Sequence, residues 1–417
     1  MFSNGDRLDA RAVKQDFDYV RRFPGPSGNA SFGPLKSVRV IDPYALQLVM
    51  SSPFRPLLFY LTSQGIADVG AEQKERDRAC QNPIGSGAFK VSSVAPGLSE
   101  VNLVRNPRHR WAPAWHRNKG PAYLSSVVIK YIVSDETAVS ELLAGDLDVT
   151  VVPATELTRV QGSPDIAVRK SYPYRELFLN FNTLHAPFNQ AKVRLAIAQA
   201  IDHETLIKVV TGGHAKPAYS PIAPSNPYYD KKAPTYAPKY QPSQASRLLS
   251  AQHVSGLYTL VTNTIPQYST TAEFIQAALA RVGVKVNLVV KPVLDAQAQM
   301  NKGDFDLAVD SWNGDDLFPV LHSSQAASLG TGGFNRTGYH SKELDRLLVQ
   351  SRETVDPKQA KRILARVQRF VDTQAIWVPL FNPETDTAVR RRLKGWHASQ
   401  TGVTFVYPVL QDGYVNG

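Results

Sequence analysis

A single cysteine, Cys80, stands among 417 residues. An internal disulfide is therefore excluded, and a lone thiol with no histidine pattern around it reads as inert rather than nucleophilic. No run of about 18 consecutive apolar residues occurs, so no transmembrane helix is expected. The first residues, Met1-Phe2-Ser3-Asn4-Gly5-Asp6-Arg7, lack the basic start and apolar core of a signal peptide. The phosphate loop GxxxxGK, the zinc motif HExxH and the nucleophile elbow GxSxG are also missing. His203-Glu204 starts like HExxH but continues Thr-Leu-Ile, and the nine histidines are scattered without ligand spacing. Neither a metal nor a cofactor is expected on that ground. Gly85-Ser86-Gly87 lacks the preceding strand and following helix of a dinucleotide-binding turn, and reads as a tight turn. Together these absences point away from an enzyme.

Basic side chains outnumber acidic ones, 47 to 36, for a net charge of +11. Such an excess serves nucleic acid only when it clusters. The one dense run, Arg390-Arg391-Arg392-Leu393-Lys394, is short and has no interleaved aromatics. It reads as a solvated face, and no nucleic-acid partner is expected.

Periodicity places the elements. Asp9 is suited to cap a helix over 10–22, with Val13, Phe17 and Val20 at helical spacing. Residues 38–42 and 45–50 read as two strands joined at Asp42-Pro43. Further strands are expected at 88–91 and 101–105. The β-branched run 127–133 reads as a buried strand. A helix from Asp135, ended by Gly145, and a strand at 148–152 complete what looks like a βαβ unit. The pattern restarts at Glu176: a strand over 177–182, then helices over 190–202 and 204–211. Arg194 and Asp202, eight residues apart, are expected on one side of the first of these helices. The segment 216–242 is rich in Pro, Tyr and Lys and reads as a long irregular loop, packed rather than free because five tyrosines are costly to leave in water. Residues 257–261, 270–282 and 284–290 read as strand, helix and strand, followed by a helix at 295–302 and a strand at 306–309. Helices over 342–353 and 357–373 precede an apolar strand at 376–381.

Several segments resemble, in order, the family-five extracytoplasmic solute-binding proteins. Phe2 to Val13 resembles the opening F-x-D-G-x-P-L-T-A-x-D-V, with Asn4 and Arg7 in place of the usual Asp and Pro. Asn82 to Phe89 resembles P-V-G-T-G-P-Y, and Arg105-Asn106-Pro107 resembles the R-N-P after it. Glu141 to Val149 resembles A-L-x-x-G-E-x-D-V. The most specific stretch runs from Asn182 to Asp202 and includes Pro187-Phe188-Asn189, Val193-Arg194 and Ala200-Ile201-Asp202.

The resemblance implies an α/β fold, a bilobal periplasmic-binding-protein clamp of the Venus-flytrap kind with an accessory subdomain. It implies capture of a peptide or peptide-like solute for the permease subunits of an ABC transporter, in the periplasm or cell envelope, by a monomer with no cofactor. Alternatives on the same clamp are a ligand-sensing module or a binder of a metal chelate, an opine or a glutathione-like solute. The expected division is residues 1–85 as the remainder of an accessory subdomain, 86–174 as the first lobe's core, 175–390 as the second lobe and 391–417 as a return to the first. Family members carry a leader and roughly a hundred residues before the opening motif, so the first lobe is expected to be incomplete at its N-terminus. Ser311-Trp312-Asn313-Gly314-Asp315 resembles the G-W-x-x-D of peptide binders, whose Asp pairs with the peptide ammonium. Asp315, Trp312, Asn313 and Gly314 are thus the expected ligand-binding residues.

Overall fold

The computed structural model of the chain describes residues 1–22, 32–74, 81–313, 335–396 and 410–415. Asp9 caps the helix Ala10–Val20 by accepting from the N–H groups of Arg11 and Ala12. Phe17 of that helix packs with Leu35 and Val38 on the hairpin of β1 (Leu35–Asp42) and β2 (Ala45–Met50). Three antiparallel strands follow, β3 (Phe89–Val94), β4 (Glu100–Arg105) and β5 (Ser126–Lys130).

Two expectations fail in this region. The run 127–133 is apolar, yet β5 pairs only with β4 among the described residues and meets solvent. Val128 and Ile129 are 50% and 48% exposed. The helix Asp135–Ala144 does form, capped by the Ser134 hydroxyl and ended by Gly145 at φ 98°, a left-handed conformation that suits glycine. The strand after it, β6 (Val149–Val152), lies in a different sheet from β5. No βαβ unit results, because β6 pairs instead with a strand from far along the chain, which takes the central position of the new sheet. In that three-stranded sheet β14 (Thr385–Arg390) lies between β6 and β7 (Ile166–Ser171), antiparallel to both.

A larger sheet of six strands has the order β11-β10-β12-β8-β13-β9. Its members are β8 (Arg175–Phe181), β9 (Ala215–Pro217), β10 (Leu257–Asn263), β11 (Lys285–Lys291), β12 (Leu307–Asn313) and β13 (Trp377–Pro383). The strands β11, β10 and β12 are parallel, and the helix Pro266–Arg281 joins β10 to β11. Strand β8 shows why the sheet holds helices on both sides. Leu177, Leu179 and Phe181 point into one core with Ile197, Leu260 and Leu279. Phe178 points the other way and stacks on Trp377, 4.2 Å between ring centres, under the helices Lys342–Glu353 and Pro357–Thr373. That is the period of two expected of a strand buried on both faces.

Arg194 sits in the helix Ala191–Gln199 and is 1% exposed. Its guanidinium donates to three carbonyls, those of Phe188 (2.7 Å), Gln374 and Ala375 (2.9 Å each). It thereby fastens this helix to the end of the helix Pro357–Thr373. Asp202 does not share its helix. It caps the next one, His203–Thr211, because the first ends at Gln199 and the chain turns before restarting.

The segment beyond β14 turns back on the middle of the chain. Strand β15 (Leu393–Lys394) pairs with β16 (Tyr414–Val415). Asp412 accepts from the N–H groups of Asn118 (2.8 Å) and Arg117 (3.2 Å) and lies 3.1 Å from His116 Nδ1. Gly395, at φ +66°, leaves room for this approach, since a Cβ there would come within 1.9 Å of the Asp412 carbonyl oxygen. Residues 403–409, expected to pair with the first lobe's sheet, lie outside the described residues, as does Cys80.

The triple bond of Arg194 yields a direct expectation. Arg194→Lys keeps the charge but not the planar fork, so at least one buried carbonyl loses its donor. It should cost about 2 kcal/mol or more of unfolding free energy, read by urea melts, and Arg194→Met more. A loss under about 0.5 kcal/mol for either contradicts this role.

Candidate functional site

In open α/β sheets, solutes bind beyond the carboxyl ends of the parallel strands. Here β10 ends at Asn263 and β12 at Asn313, and the helix Pro266–Arg281 starts at the same edge. The same edge holds both links between the two larger sheets. Strand β7 passes into β8 through residues 172–174, and β13 passes into β14 through Glu384 alone. The links run side by side. Asn382 donates from its side-chain amide to the carbonyls of Pro173 and Arg175, and Ser171 pairs with Thr385.

Arg175 opens β8 at this junction. It donates from Nη2 to the Tyr268 hydroxyl at 2.8 Å, and that hydroxyl shares a 2.6 Å hydrogen bond with Ser311 Oγ. Its Nε is shielded from water without a hydrogen-bond partner, and no carboxylate of the described residues lies within ion-pairing distance. A guanidinium with an Nε left without a partner among the described residues, oriented by one hydroxyl that is itself fixed by a second, and lying over an aromatic ring, is equipped to take a carboxylate.

The other charged group of the junction is built around Glu384, whose side chain is 6% exposed. It accepts from Lys170 Nζ (2.8 Å) and the Tyr172 hydroxyl (2.6 Å), and His214 Nδ1 lies at 2.9 Å. Burial opposes its ionisation, but these three donors outweigh burial and hold its carboxyl down at about 2. The same bond pushes the Tyr172 hydroxyl up to about 12. Asp386, 3% exposed, is raised by burial and by the Glu384 charge beside it.

Two further buried carboxyls, Glu176 and Asp372, lie inside the six-stranded body, and burial raises both well above the usual carboxylate range. A neutral acid is the cheaper state for a carboxyl taken out of water. The pocket beside Asp372, lined also by His203, Tyr219 and Trp377, has room for about one water molecule and is too small for a solute.

Of the expected ligand residues, Trp312 and Asn313 end β12, where their backbones pair with Glu176 and Arg175. Their side chains, and all of Gly314 and Asp315, lie outside the described residues. Sequence reasoning missed Arg175, Tyr268, His214, Glu384 and Asp386. One available signal was Arg175, a charge set between the turn Tyr172-Pro173-Tyr174 and an apolar strand.

Comparison with known proteins matches this architecture. The sequence pattern of the bacterial extracellular solute-binding proteins, family 5 (middle region), fits residues 1–333. A probable D,D-dipeptide-binding periplasmic protein of Escherichia coli K12 is 25% identical over 406 residues, 95% of this chain and 77% of that protein. Heme-binding protein A of Haemophilus influenzae is 25% identical over 400 residues, 91% of this chain and 70% of that protein. An ABC transporter-associated periplasmic binding protein of Helicobacter pylori, solved with the peptide STSA, superposes with a TM-score of 0.81 at 25% identity. That superposition covers 98% of this chain and 81% of the solved one.

The Glu384 grouping makes stability depend on pH in a defined direction. Its folded carboxyl titrates at about 2, below the ordinary value of 4.5, so its contribution is complete above 4.5 and lost as pH falls toward 2. Glu384→Gln should therefore be less stable than wild type at pH 6, and the gap should narrow as pH falls below 4.5. Urea melts at pH 6, 4.5 and 3.5 measure this, and a gap that widens on acidification contradicts it.

Proposed function

Because the chain belongs to the bacterial extracellular solute-binding proteins of family 5, we propose that it is the substrate-binding component of an ABC importer, closing two lobes on a peptide or peptide-like solute. Arg175 carries this reading, as a guanidinium with no carboxylate partner among the described residues, at the edge where such a sheet receives a solute. The ligand's carboxylate pairs with Arg175. Its ammonium pairs with Asp315, and Trp312, Asn313 and Gly314 complete the contact. Backbone pairing sets Asn313, the last described residue of β12, beside Arg175, and this supports the reading. A dipole-like solute with one charge at each end is thus matched by one cation and one anion.

The lobe containing β8 to β13 spans residues 175 to 383 in this reading. The remainder forms the first lobe and its accessory subdomain, since β14 pairs on both sides with β6 and β7. The family consists of substrate-binding proteins rather than enzymes, and no helix among the described residues is long and apolar enough to cross a membrane. The protein works in the periplasm or cell envelope, as a monomer that hands its solute to permease subunits. A non-peptide solute is the second reading. The match to a heme-binding protein favours it, and Arg175 serves any ligand that presents a carboxylate.

Calorimetry against a pool of di- and tripeptides, then against single binders, tests the proposal. Arg175→Gln should weaken binding of a free-carboxylate peptide by roughly 30-fold or more, about 2 kcal/mol, and barely change binding of its amide. Asp315→Asn should weaken binding to a similar degree, with N-acetylated peptide indifferent to the change. Unchanged affinity in Arg175→Gln removes that residue from the site. Failure of every peptide while carboxylate-bearing chelates bind selects the second reading.

A further inference from the structure

Where β13 gives way to β14, three side chains able to donate an electron pair to a cation converge from distant parts of the chain. His214 lies just before β9, Glu384 forms the link itself and Asp386 is the second residue of β14. The position is fixed by backbone, since Pro383 pairs with Ala215 and the Glu384 N–H donates to the His214 carbonyl. Their donor atoms all lie within 4.8 Å of one another. His214 Nδ1 is 2.9 Å from Glu384 Oε1 and 3.7 Å from Asp386 Oδ2. Four ligands at about 2.0–2.1 Å from a tetrahedral zinc stand about 3.3 Å apart. The two separations from His214 straddle that value, and the two carboxylates lie within 4.8 Å of each other, so a modest inward shift of side chains brings the three donors to a common ion.

The chemistry of the group also lacks a cation. Among the described residues the Lys170 ammonium pairs with Glu384, whose side chain is 6% exposed, while Asp386, 3% exposed, has only His214 within 4 Å as an ion-pair partner, at 3.7 Å. One oxygen of Asp386 is buried without a hydrogen-bond partner. A buried carboxylate oxygen left unpaired calls for a donor or an ion. The Lys170 side chain is half exposed and bonds the same Glu384 oxygen that faces His214. It can therefore leave for water when a stronger cation arrives.

We propose that His214, Glu384 and Asp386 form a binding site for a divalent first-row transition ion, with Lys170 holding the place of the ion when none is bound. One imidazole nitrogen and two carboxylate oxygens suit zinc, and also nickel or copper, better than the all-oxygen preference of magnesium or calcium. A fourth position remains for water. The consequence is mechanical. His214 belongs to the six-stranded body and Asp386 to the three-stranded sheet, so an ion bridging them fixes the angle between the two at their link. Ion binding and closure on a solute are then thermodynamically coupled, each changing the other's affinity by the same factor.

The test uses the full chain, stripped with a chelator, and zinc alone as the probe. Titration calorimetry should show one ion per chain. His214→Ala and Asp386→Asn should each weaken binding by more than the roughly 10–100-fold that loss of an outer-shell partner costs. Lys170→Ala, at a half-exposed position, should bind zinc more tightly than wild type, because the competing ammonium is gone. That sign separates the built site from adventitious binding by a surface histidine. Thermal melts identify any variant that fails to fold, and His214→Gln then replaces His214→Ala. Absence of stoichiometric binding, indifference to both ligand substitutions, or unchanged or weaker binding in Lys170→Ala overturns the proposal.

Discussion

Everything that this protein does as a clamp depends on one ribbon of paired backbone. Strands β7 and β14 are neighbours in the three-stranded sheet, and β8 and β13 are neighbours in the six-stranded sheet. Strand β7 continues into β8 and β13 into β14, so one antiparallel pair runs through from one body to the other. The break between its halves is three residues on one side and one residue on the other. Asn382, wholly buried, bonds across the break to the carbonyls of Pro173 and Arg175. The two links must move together, and motion is confined to a few backbone torsions. That is the structure of a hinge, with rigid packed bodies on either side.

The charged groups follow from this placement. A hinge between two bodies is partly shielded by both, so Glu384 is buried where Lys170, Tyr172 and His214 can all reach it. Arg175 stands one residue past the same break, held by the Tyr268 hydroxyl of the helix Pro266–Arg281, which is itself bonded to Ser311 of β12. Away from the links in sequence, the Arg55 N–H donates to the Arg352 carbonyl, and Arg55 Nε donates to the Ser351 carbonyl. The segment near residue 55 therefore touches the six-stranded body directly.

Local signals were legible wherever one element decides the outcome. The Asp9 cap, the left-handed Gly145 and the strand–helix–strand unit around 257–290 could be read from residues a few positions apart. The motif from Asn182 to Asp202 proved to be scaffold. Asn182 is 1% exposed and donates to the carbonyls of Gly303 and Phe305, while Arg194 ties two helices together. Sheet membership was not legible, because β5 pairs with the nearby β4 whereas β6 is claimed by β14, more than 200 residues on, and nothing local to β6 announces that partner. The hinge cluster was invisible for the same reason: His214 and Glu384 are 170 residues apart, and Lys170 and Glu384 are 214. Family motifs of this kind identify a fold, and the solute is decided by residues outside them.

If this ribbon bends as a hinge, the two bodies close on a solute. Small-angle X-ray scattering on the purified chain, alone and with a peptide that binds by calorimetry, measures this directly. A closing hinge gives a smaller radius of gyration and a shorter maximum dimension at saturating peptide, reversed by dialysis. Superimposable scattering curves with and without a saturating ligand would contradict it.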